Sequence, residues 1–316
     1  PRVLAEGRRR SDSFGRARGN ALNEGTKIGN MAFPLPPRRR STDQLPRQDS
    51  GDPMPRFSAN LGFLWPDRPL LERIEAAADA GYRAIELHYP YDVPAAELKA
   101  AYQKRGLELL GLNTQIGAGP DGHRGYAAVP GREADFHALA EQAIAYPSEA
   151  GGTAVHMMAG NVAPERHAEG FATIVANLKW AAPKAAAAGL TVLIEPINRR
   201  DMPGYFYSTQ EEGAAVIDAV AAPNVKLMFD AYHVGVAQGD IITRLRTFYP
   251  KVGHVQIAAV PSRAEPDEGE VHFPAIFKVL DELGYTGWIG AEYKPRAATD
   301  AGMDWVKALG LAGLGS

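Results

Sequence analysis

The chain has 316 residues, 45% hydrophobic and 22% charged, with a formal net charge of −3 and no cysteine. That fits a globular protein with one large domain or two ordinary ones, and it rules out disulfides, zinc–thiolate sites and thiol nucleophiles. The charge gives no basic field for nucleic acid, no apolar run approaches the ~20 residues of a membrane span, and the N-terminus lacks the apolar core of a signal peptide.

Residues 1–53 carry R-R-R at Arg8 to Arg10, P-L-P-P-R-R-R ending at Arg40, and many Ser, Gly and Pro. No helical or strand periodicity runs through them, so they are expected to be a disordered extension. M-P-R-F-S-A-N-L at Met54 looks like a natural start, and 54–316 is expected to be the folded domain. From there apolar runs fall at 57–63, 84–89, 107–113, 154–159, 190–195, 225–230, 252–257 and 288–293. Between them lie amphipathic stretches: one from Pro69 to Gly81, then 95–105, 133–146, 164–188, 209–220, 240–248, 274–283 and 299–309. Pro147 should end or kink its helix near Tyr146, because proline lacks the N–H that helix needs. Short apolar strands alternating with helices imply a parallel sheet covered on both faces. Eight such units predict a closed (β/α)8 barrel of the TIM type. An open doubly wound sheet is the alternative, but no G-x-G-x-x-G turn follows the first strand.

Four acidic or amide residues end four successive runs. Glu195 closes T-V-L-I-E, Asp230 closes V-K-L-M-F-D, Gln256 lies in V-G-H-V-Q-I and Glu292 in W-I-G-A-E-Y. They are separated by 35, 26 and 36 residues, about one strand–helix unit each. In a barrel all four would meet at the C-terminal mouth. Three carboxylates and an amide oxygen form a hard-cation site, and crowded carboxylates are candidates for proton transfer. His233, three residues after Asp230, is expected on the loop over the mouth, where it would serve substrate or acid–base work. Glu86 and His88 share one face of the second strand, and a buried Glu86 must be paired or lie near a cation. Asn113, like Asn60 and Gln115, ends a strand and is placed to hydrogen-bond a hydroxyl. Arg263 follows the seventh strand, and its planar fork suits a carboxylate. His156 and His254 lie inside strands and read as core histidines.

The segments F-S-A-N-L-G-F-L, H-Y-P-Y-D, H-M-M-A-G, L-I-E-P-I-N-R-R-D-M-P-G-Y-F, F-D-A-Y-H, G-H-V-Q-I-A-A-V-P-S-R-A-E-P and W-I-G-A-E-Y-K-P resemble hydroxypyruvate isomerases. These are members of the xylose-isomerase-like barrel superfamily, and the resemblance spans 54–305. It implies that Glu195 and Glu292 are the catalytic glutamates. It also implies that Glu195, Asp230, Gln256 and Glu292 ligate a divalent metal, Mg²⁺ or Mn²⁺. The implied reaction interconverts hydroxypyruvate and tartronate semialdehyde through an enediolate, with His233 on a substrate oxygen and Arg263 on the carboxylate. The expected partner is a small hydroxy-oxo acid, with no nucleic acid and no membrane. A cytoplasmic location is expected, and a homo-oligomer is left open. The chain departs from the family pattern at Ala259, at Ala264 and over 115–124, all in substrate-side loops. A sister group isomerises 2-oxo-tetronates, but the L-I-E-P-I-N-x-x-D-M-P-G segment looks more like the hydroxypyruvate branch. A sugar epimerase, an inosose-type dehydratase and a DNA-repair endonuclease are the competing functions on this fold.

Overall fold

A computed structural model describes residues 55–117 and 123–314. The expected disordered extension, and the middle of the 115–124 loop, lie outside these residues. The eight strands are β1 (Phe57–Asn60), β2 (Ala84–Glu86), β3 (Glu108–Asn113), β4 (Ala154–His156), β5 (Thr191–Ile194), β6 (Val225–Asp230), β7 (Val252–Ile257) and β8 (Ile289–Ala291). Each pairs in parallel with the next, and β1 pairs with β8, so the sheet closes as the sequence predicts. Most strand residues are buried, β3 least so, which is why the strands read as largely apolar runs. Phe57 packs edge-on to Phe277 and Trp305, with ring centroids 5.5 and 5.1 Å apart. Its N–H donates to Leu314 O at 2.7 Å, so the C-terminal segment is pinned across the start of β1.

Ten helices cover the barrel: α1 (Leu70–Asp79), α2 (Ala95–Lys104), α3 (Glu133–Ala150), α4 (His167–Ala187), α5 (Gln210–Val220), α6 (Ala231–Ala237), α7 (Ile241–Phe248), α8 (Phe273–Glu282), α9 (Thr299–Gly302) and α10 (Trp305–Ala308), counted among the described residues. Helix α5 starts on a capping box, in which Thr209 and Glu212 satisfy each other's backbone N–H groups.

Three expectations change. Helix α3 does not end at Tyr146 but runs through Pro147 to Ala150. Pro147 sits in the last turn, its ring is buried, and its carbonyl accepts from the N–H groups of Gly151 (2.7 Å) and Gly152 (2.9 Å). Burial and this left-handed glycine stop outweigh one missing hydrogen bond. The stretch 299–309 is two short helices, because the chain breaks to drop Trp305 into the core beside Tyr293. The segment after Asp230, expected to be a loop, is the helix α6.

Candidate active site

Asp230 ends β6 and also begins α6. Its Oδ1 accepts from the Tyr232 N–H at 2.8 Å, and this cap turns the chain into a helix at once. The other oxygen, Oδ2, is buried and has no hydrogen-bond partner among the described residues. Helix α6 carries His233 back over the mouth, so His233 is a buried first-turn residue rather than a loop residue. Its Nε2 lies 3.6 Å from Asp230 Oδ2 and 3.6 Å from Glu195 Oε1. Glu195 follows β5, and its Oε1 is likewise buried and unpartnered among the described residues. One ligand atom each from Glu195, Asp230 and His233 lies within 4.8 Å of the others.

The opposite side of the mouth is rich in donors. Glu292 Oε1 accepts from Asn60 Nδ2 at 3.0 Å and lies 3.0 Å from His88 Nε2. Its Oε2 accepts from Arg263 Nη2 at 2.9 Å. Arg263 is only 8% exposed, and its guanidinium also lies 3.8 Å from Asp230 and 3.7 Å from Asp201. It adopts a left-handed backbone at φ +59°, held by its own N–H on Ala259 O (2.8 Å) and by the Lys294 N–H on its carbonyl (2.7 Å). A non-glycine residue is kept there only when its surroundings enforce it. The strain aims the fork into the site, where protein carboxylates already engage it. A substrate carboxylate would therefore share Arg263 with Glu292.

Gln256 pairs in register with Asp230 across β6 and β7. Its Nε2 donates to Glu86 Oε2 at 2.8 Å. An ionised carboxylate can only accept, so this contact fixes the amide orientation. The freed Oε1 is buried and without a partner among the described residues. Glu86 takes Ser58 Oγ at 2.5 Å on its other oxygen, with His254 Nε2 3.0 Å away but off the line of a hydrogen bond. Gly290 is obligatory here, because a Cβ would lie 2.7 Å from Gln256 Cγ and strike Glu86. Glu86 is thus paired as its burial requires, accepting from Gln256 and Ser58 with His254 beside it. Asn113 lines a cavity of about 230 Å³ together with Glu86, His156, His254, Tyr285 and Trp288. Gln256 and Asn60 line it too, whereas Glu195, Asp230 and Arg263 do not.

The two glutamates experience opposite fields. Burial, then the charges of Glu292 and Asp230, push Glu195 well above the usual carboxylate range. Burial pushes Asp230 up to about 7 against the pull of Arg263. Burial would raise Glu292 too, but Arg263 and the His88 hydrogen bond outweigh it and hold Glu292 at about 2. Burial lowers His156 to about 4, leaving it neutral beside Glu195. The residues fit a divalent cation: three buried oxygens, on Glu195, Asp230 and Gln256, lack any donor among the described residues, and hard oxygen ligands suit Mg²⁺ or Mn²⁺. Positive charge among them would favour the ionised forms of Glu195 and Asp230.

Asn198 and Asp201 went unassigned in the sequence, yet they contact His233 and Arg263. Their spacing of three residues after Glu195-Pro196 is a signal for a side-chain turn, and only the fold shows what it supports.

Residues 74–309 match the Xylose isomerase-like TIM barrel family, and the chain belongs to it. It is 48% identical over 255 residues to a 2-oxo-tetronate isomerase of Cupriavidus necator, covering 80% of this chain and 98% of that protein. It is 37% identical over 254 residues to the hydroxypyruvate isomerase of Escherichia coli, covering 80% and 98%. Among solved structures it is similar to one titled family 2 AP endonuclease from Brucella melitensis, with a TM-score of 0.78, 38% identity and coverage of 80% and 98%. The chain is an isomerase of the hydroxypyruvate and 2-oxo-tetronate type. No described helix is long and apolar enough to cross a membrane.

Proposed function

We propose that this chain moves a proton between adjacent carbons of a short 2-oxo acid, through an enediolate, with Glu195 and Glu292 as the two proton carriers. The observation that carries this reading is the split between the two glutamates across one mouth. Environments that push a pair of carboxylates apart assign the acid and the base. In the protein alone Glu292 is held below the usual carboxylate range and Glu195 is pushed above it, so the two carboxyls differ in proton affinity across the mouth, and a cation among Glu195, Asp230 and Gln256 would narrow that difference. General acid–base groups of this kind contribute about 10²–10⁴-fold each. Arg263 orients the substrate carboxylate while it keeps Glu292 charged, and His233 faces a substrate oxygen. Glu195, Asp230, Gln256 and, from the far side, Glu292 would hold a divalent cation, which supplies Lewis-acid polarisation of the substrate oxygens worth several kcal/mol. His88 and Asn60 keep Glu292 in place.

Hydroxypyruvate, with tartronate semialdehyde as product, is the acid that the motifs imply. The four-carbon 2-oxo-tetronate is the second reading, favoured by 48% identity to a 2-oxo-tetronate isomerase against 37% to the hydroxypyruvate isomerase. A net charge of −3 and a carboxylate-rich mouth argue against a nucleic-acid substrate. A cytoplasmic setting belongs to the same reading. The test offers both acids to the purified protein with EDTA, Mg²⁺ or Mn²⁺ and traps the aldehyde product with a coupled reductase. We expect turnover of at least one acid, lost in EDTA and restored by metal. Turnover of neither acid under any condition would refute the proposal.

A further inference from the structure

His233 is close enough to Glu195 and Asp230 to be counted with them as a cation ligand. A ligating imidazole nitrogen must offer a lone pair, so the question is where the ring carries its proton. The network behind the ring answers it. The Asp201 N–H donates to Asn198 Oδ1 at 3.0 Å. Asn198 Nδ2 in turn donates to Asp201 Oδ2 at 3.3 Å. Reversing the amide would set an oxygen against a carboxylate and an NH₂ against an N–H, two losses at once, so its orientation is fixed. That NH₂ lies 2.7 Å from His233 Nδ1, and the Asn198 backbone N–H reaches the same nitrogen at 3.4 Å. Two donors converge on Nδ1, and the backbone donor cannot be flipped. A proton on Nδ1 would face both.

We propose that Asn198 is a positioning residue that locks His233 as the tautomer protonated on Nε2, which makes His233 a hydrogen-bond donor into the mouth and removes it from the cation's ligands. Asp201 serves the lock from behind. It accepts from the Tyr232 hydroxyl at 2.6 Å and so ties the clamp to α6, the helix that carries His233. The Nε2–H then points between Glu195 and Asp230, where a substrate oxygen would sit. With His233 excluded, the orphaned Gln256 Oε1 becomes the neutral member of the cation's shell. The donor's use on substrate rests on the isomerase reading; the tautomer does not.

The test is a long-range ¹H–¹⁵N spectrum of protein labelled at its eight histidines, with His233 assigned by its loss in His233→Gln. In metal-free wild type we expect the Nε2–H pattern, and we expect Mg²⁺ to leave that proton in place. Asn198→Ala should mix the two tautomers, whereas Asp201→Asn, which keeps an acceptor for Asn198, should retain the wild-type pattern. Where an acid is turned over, Asn198→Ala should lower kcat by about 10²-fold, the loss typical of one preorganised donor, with Asp201→Asn much less affected. A wild-type ring protonated on Nδ1, an Nε2–H that disappears on adding Mg²⁺, or an Asn198→Ala spectrum identical to wild type would each overturn the proposal. The wild-type spectra decide even if Asn198→Ala does not fold. Absence of any Mg²⁺-induced shift would count against the cation reading and leave the tautomer result to stand by itself.

Discussion

The two sides of the barrel mouth hold the same chemical group in opposite states. On the β8–β1–β2 side Glu292 meets Asn60, His88 and Arg263, and every contact favours its charge. On the β5–β6 side Glu195 and Asp230 each keep a buried oxygen with no donor among the described residues, and their charges oppose one another. A stable interior rarely tolerates such groups, because each unmatched polar atom costs about 1–3 kcal/mol. The mouth keeps two of them together. The lesson is that the β5–β6 side is built for something that arrives, while the β8–β2 side is finished without it.

The comparison can be broken most sharply at Glu195. Glu195→Gln should lower kcat by about 10³–10⁴-fold through loss of a proton carrier, while the metal-free Tm rises, since a crowded carboxyl is replaced by a neutral amide. Steady-state kinetics and calorimetry on one preparation check both, and a variant with wild-type turnover would sink the assignment. Arg263→Met attacks the other side. It strands Glu292 as a buried charge, and breaking a buried pair this way costs about 3–5 kcal/mol, read as a shift in urea midpoint; a neutral outcome would mean that Glu292 is not held by Arg263.

The pH dependence comes next. Asp230 rises from 3.8 to about 7 on folding, and Glu195 also rises. Raised carboxylates contribute stability at low pH that is lost as pH climbs through the folded value. Glu292, lowered from 4.5 to about 2, acts the other way, but only as pH falls below its unfolded value. Buried His156 and His233, whose values are lowered from 6.5, add stability as pH rises to about 6.5, so the Tm of the metal-free protein should fall only above that, between about pH 6.5 and pH 8, and Mg²⁺ should flatten that slope. A Tm that rises over this window without metal would contradict the picture. The smallest effect is expected at His88, which is partly exposed and contributes one hydrogen bond to Glu292. His88→Gln should cost about 0.5–1.5 kcal/mol, visible as a loss of up to roughly tenfold in kcat/KM with little change in Tm.

Much of this was legible in the sequence because strand–helix units repeat. The spacing of Glu195, Asp230, Gln256 and Glu292 places them on successive strands, and the eight runs fix the barrel. The failures have local causes. His233 was expected on a loop because nothing marks Asp230 as both strand end and helix cap. Pro147 was expected to stop a helix, and burial against the barrel carried α3 one turn further. The link from Asn198 to His233 spans 35 residues, with α5 and β6 between them, so no local pattern encodes it.

The central claim is that Glu195 and Glu292 carry a proton between adjacent carbons of a short 2-oxo acid. The most direct measurement follows hydroxypyruvate and 2-oxo-tetronate by ¹H NMR in D₂O with protein and Mg²⁺. We predict that the carbon-bound proton next to the carbonyl of at least one acid is replaced by deuterium as isomer forms, and that both exchange and isomer vanish in Glu195→Gln and Glu292→Gln. Isomer formed at an undiminished rate in either variant, or no exchange and no isomer from either acid with wild type, would contradict the account.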